Sequence, residues 1–129
     1  MLAPTASSRT HRMLGLGASP AAALDMGESS DHPQRLVIIG FGPAGMAIGN
    51  AAIKLPIRVD VVDMSPTTIR AARTMGFHAH TADASHADVL EHLGIHHVDI
   101  AVVTIPDPLA AIAVIKQIRN SAPAVHFFS

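Results

Sequence analysis

Leu36-Val37-Ile38-Ile39-Gly40-Phe41-Gly42-Pro43-Ala44-Gly45 joins a short run of apolar, β-favouring residues to a Gly-x-Gly-x-x-Gly and then to a helical pattern. In such a unit Gly40 permits the tight strand-to-helix turn, Gly42 lets a pyrophosphate approach the backbone, and Gly45 brings the following helix close to the strand. Pro43 suits the first helical turn, where its missing N–H would have had no intrahelical partner. Phosphates would rest on free N–H groups at the positive end of that helix. The same spacing also occurs in glycine turns that serve structure alone. Context separates the two readings: the motif lies between a strand and a helix, and an acid, Asp63, ends the next strand eighteen residues after Gly45. Together these features read as a nucleotide-binding βαβ unit.

Working outward, the 129 residues fit one domain with a useful core, and 49% hydrophobic against 15% charged residues reads as compact α/β. A net charge of −1 suggests no basic face for nucleic acid or an anionic membrane. The chain has no cysteine, which excludes disulfides, thiolate nucleophiles and zinc–cysteine sites and fits a reducing compartment. The longest apolar stretch, Leu109 to Ile115, is seven residues, far short of the roughly 18 that a membrane span needs. Residues 1–34 are dominated by Ala, Ser, Gly and Pro without a sustained period. Arg9 and Arg12 followed by Met13 to Leu24 imitate a signal peptide, but Gly15, Gly17 and Pro20 make a poor apolar region. The expected organisation is a flexible leader or linker over 1–34 and a nucleotide-binding domain over 35–129.

The remaining pattern alternates strand and helix. A strand over about Arg35 to Ile39 precedes a helix from Pro43 to Leu55, with Ala44, Ala47, Ile48, Ala51 and Leu55 at helical spacing and Pro56 as its stop. Ile57 to Asp63 is the second strand. Ser65-Pro66 opens a helix that Gly76 closes, with Ile69 and Ala72 inward. A third strand spans Phe77 to Thr81, and Ser85-His86-Ala87-Asp88 resembles a capping box for a brief helix ending at Gly94. Asp99 to Thr104 is a core strand, Asp107-Pro108 caps a helix running to about Asn120, and Ala124 to Phe128 is a fifth strand. Short connections between alternating elements imply a parallel sheet with right-handed crossovers. The expected fold is a Rossmann-like three-layer α/β fold with a parallel sheet of about five strands in the order 3-2-1-4-5, ending before a sixth.

The helix over 108–120 is apolar on all sides for two turns. Ala111, Val114, Ile115 and Ile118 make a stripe for the sheet, which leaves Leu109, Ile112 and Ala113 on another face. That face reads as a partner surface for a homodimer, the alternative being a covering loop.

With these pieces in place, the chain resembles the N-terminal lobe of RCK domains, also called TrkA-N domains, and most of all the cytoplasmic domain of Kef-type cation:proton antiporters. The resemblance is carried by Gly40-Phe41-Gly42-Pro43-Ala44-Gly45, Val62-Asp63, Thr81-Ala82-Asp83-Ala84-Ser85, Val89 to Ile95 and Val102-Val103-Thr104-Ile105-Pro106-Asp107, and it covers about Leu36 to Phe128. It implies that Asp63 hydrogen-bonds the adenosine ribose, that Asp83 and Ala84 lie beside the adenine, and that Thr104 lines the site. The candidate ligand contacts are therefore Gly40, Phe41, Gly42, Pro43, Ala44, Gly45, Asp63, Met64, Asp83, Ala84 and Thr104. The chain departs from the family's pattern at Ala82, where Gly is usual, and at Pro43, where many members carry a basic residue.

An acid at the end of the second strand favours an unphosphorylated ribose, so NAD(H), ATP, ADP or AMP are expected over NADP, with NAD(H) first. Asp83 has two readings, ligand contact or helix cap. Nine histidines invite a metal or pH-sensing account, but no His-Glu-x-x-His is present and exposed imidazoles are the expectation. Catalysis finds no footing: there is no Tyr or Cys, and the two lysines, Lys54 and Lys116, fall away from the predicted cleft. The resemblance implies a non-enzymatic cytoplasmic module that controls a membrane cation transporter or channel without itself entering the membrane. The alternatives are a fragment of an NAD(P)-dependent oxidoreductase and a truncated remnant of a Kef-type transporter.

Overall fold

Each element of the computed structural model, which describes residues 34–128, begins or ends where local chemistry requires. Its elements are Gln34–Ile39 (β1), Pro43–Ala52 (α1), Ile57–Asp63 (β2), Pro66–Thr74 (α2), His78–Thr81 (β3), Ala87–His92 (α3), a 3-10 turn at Ile95–His97, Ile100–Val103 (β4), Pro108–Ser121 (α4) and His126–Phe128 (β5). Proline occupies the start of α1, α2 and α4, where a missing N–H costs nothing. The Ser65 hydroxyl accepts from Thr68 N at 3.3 Å and the Asp107 carboxylate from Leu109 N at 3.2 Å, so both expected caps form. The proposed leader lies outside the described residues, apart from Gln34, which opens β1.

The strands form one five-stranded sheet in the order β3-β2-β1-β4-β5, every pair parallel. This is the expected Rossmann-like arrangement. α1 and α2 cover one face, over Leu36, Ile38, Val59, Val61 and Val102. α3, the 3-10 turn and α4 cover the other, over Val37, Ile39, Val62, Ala101 and Val103. Strands buried on both faces read as continuous apolar runs, which is why β1 and β4 were legible.

Asp60 breaks that rule inside β2. It is 2% exposed, pairs with the Arg35 guanidinium at 2.8 Å, and has Arg58 Nε at 3.4 Å. Arg35 also donates to the Leu93 carbonyl at 3.1 Å, tying the loop after α3 to the amino-terminal half of the sheet. At the β3 edge, Arg73 donates twice to the Ala79 carbonyl, at 3.1 and 2.8 Å, occupying an acceptor that an edge strand would otherwise present to another chain.

Three expectations are corrected. α1 ends at Ala52 and not Leu55, and its buried residues are Gly45, Gly49 and Ala52, with Ala44, Ala47 and Ala51 exposed. Gly49 faces the core rings Phe41 and Phe77, which are in edge contact at 5.3 Å between centroids; a side chain there would meet both. The Ser85 capping box does not form. The N-cap of α3 is His86, with no side-chain cap, and the Ser85 amide and hydroxyl donate instead to the Asp83 carboxylate in the turn before it. Ala113 belongs to a cleft wall instead of the free face of α4.

Candidate functional site

The carboxyl ends of β1, β2, β3 and β4 open into a cleft of about 850 Å³. Its floor is the glycine loop. Gly40 takes a φ of +95°, a region that side chains with Cβ avoid, and its amide donates to the Val62 carbonyl at 2.8 Å. Thr104, just past β4, donates its hydroxyl to the Gly40 carbonyl at 2.5 Å and its amide to the Ile39 carbonyl at 2.9 Å. Gly45 lies beneath this crossing, where a methyl group would collide with the Gly40 carbonyl oxygen and sit 3.0 Å from the Thr104 hydroxyl. Gly42 differs: nothing approaches its absent side chain within 4 Å, and its backbone is extended. α1 begins there with no side-chain cap, leaving first-turn N–H groups available to an incoming anion.

Asp63 sits where β2 delivers it beside this loop. One carboxylate oxygen accepts from Phe41 N at 2.8 Å and the other from Ser65 N at 2.9 Å. The side chain therefore locks the glycine loop to the start of α2, and each oxygen keeps acceptor capacity for a further donor. Asp83 holds the opposite side. Its carboxylate accepts from Ser85 N at 3.0 Å and from the Ser85 hydroxyl at 2.7 Å, with His86 Nε2 3.4 Å away. The two Ser85 bonds hold its carboxyl below the usual carboxylate range. Asp83 thus caps no helix; it shapes the turn that precedes α3.

The cleft lining contains Gly40, Phe41, Gly42, Pro43, Ala44, Asp63, Met64, Asp83, Ala84 and Thr104; among the sequence-derived candidates Gly45 alone lies behind the surface. Phe41 and Ala84 are 1% and 4% exposed and belong to the core clusters on opposite faces of the sheet. Met64 is the reverse, 68% exposed at the rim. The sequence reading missed the far wall, formed by Ile105, Pro106, Ala110, Ala113 and Val114. The rule that ligands sit at carboxyl ends of strands, applied to the β4–α4 connection, would have found it. His80, on β3, has its pKa pushed down by burial. Among the described residues no group of three or more His, Cys, Asp or Glu is placed to hold a metal ion.

A family profile, the TrkA-N domain, matches residues 36–128. The chain is 25% identical over 107 residues to the glutathione-regulated potassium-efflux system protein KefC of Cronobacter sakazakii, a stretch that takes in 83% of this chain and 17% of that protein. The fold resembles the TrkA-N domain of inner membrane protein ybaL from Escherichia coli, with a TM-score of 0.69 at 19% identity, over 76% of this chain and 73% of the other. It also resembles an AMP-bound Kef CTD from Shewanella denitrificans, with a TM-score of 0.64 at 22% identity, over 73% and 57%. At these identities the solved structures speak to fold alone, whereas the profile spans nearly every described residue. This chain belongs to the TrkA-N domain family.

Proposed function

We propose that residues 35–129 are a nucleotide-binding regulatory module, that residues 1–34 are its leader or linker, and that the module controls a Kef-type cation transporter or channel from the cytoplasmic side of the membrane. The observation that carries this reading is the convergence of an uncapped helix start, a glycine loop with open space at Gly42, and Asp63 at the end of β2 on one cleft. The potassium-efflux relative and the AMP named for the Kef structure support it. NAD(H) is the first candidate ligand, with AMP, ADP and ATP as the others. The remaining acceptor capacity of Asp63 suits ribose hydroxyls, and a 2′-phosphate would meet its carboxylate, so NADP is disfavoured.

The module regulates and does not catalyse. Of the polar side chains in the described lining, Asp63 and Thr104 are engaged with backbone and Asp83 with Ser85, which leaves no evident acid–base pair. Two copies pair through α4, where Leu109 is 77% and Ile112 48% exposed. No described helix is long and apolar enough to cross a membrane, and the partners are a nucleotide, a second copy and a membrane transporter instead of nucleic acid. The ligand biases gating only as far as its affinity differs between the arrangements of the paired modules.

Gly42→Asp tests the site without dismantling it. Asp is a favourable N-cap residue, and the position has room for it, but its carboxylate would occupy the ground of the phosphate. In thermal titrations of the full chain, the wild-type midpoint climbs with the bound nucleotide, equivalent to about 2.7 kcal/mol at a hundredfold excess over Kd. Gly42→Asp melts at or above the ligand-free wild-type temperature and does not climb. A wild-type midpoint indifferent to every adenine nucleotide would make the loop a structural turn.

A further inference from the structure

Resting on the nucleotide reading of the cleft, we infer that the cleft also grades its ligands by charge, holding adenine nucleotides with one phosphate or a partly self-neutralised pyrophosphate (AMP, NAD+) more tightly than those with a terminal di- or triphosphate (ADP, ATP). The described residues that line the cleft include two carboxylates, Asp63 and Asp83, and no Lys, Arg or His. Asp63 accepts from two neutral N–H donors and has no ion pair among the described residues.

The described basic groups are engaged elsewhere. Arg35 and Arg58 pair with Asp60 near the amino ends of β1 and β2, Arg73 is bonded to the β3 edge, and Arg70 donates to Thr67 on α2. Arg119 stacks 4.9 Å over Phe127. Lys54 follows the far end of α1, and Lys116 is exposed in the later half of α4. His86 is largely exposed, its imidazole 3.4 Å from Asp83.

Among the described residues, what remains to meet a phosphate is the start of α1, whose first-turn N–H groups carry the equivalent of about half a positive charge. That suffices for one phosphate. Each further negative charge is opposed by both carboxylates, and at roughly 10 Å in water each such pair weakens binding about twofold, more in a cleft of lower permittivity. Two added phosphates therefore cost ATP about tenfold or more against AMP. NADH, which lacks the nicotinamide cation of NAD+, falls below its oxidised form for the same reason.

The test is isothermal titration of the full chain at pH 8 in EDTA, where no divalent cation offsets the charge of the nucleotides. The titrants are adenosine, AMP, ADP, ATP, NAD+ and NADH at fixed ionic strength, repeated at high salt and with Asp83→Asn. The expected result is a Kd that rises from AMP through ADP to ATP by about tenfold or more, with NADH weaker than NAD+. High salt narrows the gap because screening weakens repulsion, and Asp83→Asn, which keeps an acceptor for Ser85, narrows it too. AMP and ATP binding equally, or ATP binding tighter, would overturn the charge rule and leave the nucleotide site standing. No binding by any of the six would overturn both.

Discussion

Gly42 and Gly45 stand three residues apart in one motif, yet a methyl group would be received differently at each. At Gly42 it would enter open cleft; at Gly45 it would strike the Gly40 carbonyl and crowd Thr104. Gly45→Ala is therefore expected to lower stability by about 1–3 kcal/mol, the usual cost of overpacking, read as a lower urea midpoint with an unchanged slope. A midpoint unchanged from wild type would show that α1 shifts freely and does not hold the loop. The glycines and Asp63 were legible because backbone geometry and strand ends restrict which residues serve there. Asp60 was not, since a charge within a strand reads as a solvent-facing position. Its burial depends on Arg35, a partner 25 positions away that only the fold brings near.

At the scale of elements, α4 shows what periodicity resolves and what it leaves open. An all-round apolar helix signals several buried faces. Val114 and Ile118 do fill the core, with Ala111 and Ile115 beside them, and Ala110 and Ala113 line the cleft. Leu109 and Ile112 are left exposed near the helix start. The proposed pairing through this face predicts that the wild-type chain sediments as a dimer at micromolar concentration and that Leu109→Glu shifts it to monomer with the melting of the monomer unaltered. Equal association of the two proteins would place the pairing surface elsewhere. The cap of α3 was misread for a local reason: spacing fitted Ser85 to it, but the Ser85 amide and hydroxyl both donate to the Asp83 carboxylate two residues earlier and the N-cap falls on His86. Pattern alone cannot rank such competing hydrogen bonds.

For the molecule as a whole, strand–helix alternation with short connections left few topologies open, and right-handed crossovers selected the observed strand order. The same topology gathers residues from Gly40 to Val114 at one end of the sheet. The far wall of the cleft was less legible because it is built from ordinary apolar residues of α4 and its approach, whose role comes from position and not from type. What the site holds is a question of chemistry that the fold leaves open, since one cleft of this kind serves many ligands. The most direct measurement is an amide nitrogen–proton correlation spectrum of the full chain titrated with AMP. Saturable shifts are expected at Gly40, Gly42 and Ala44, at Asp63 to Ser65 and at Ala82 to Ser85, with β5 and the later half of α4 quiet. Shifts confined to other surfaces, or none at AMP concentrations well into the millimolar range, would contradict the assignment of this cleft as the nucleotide site.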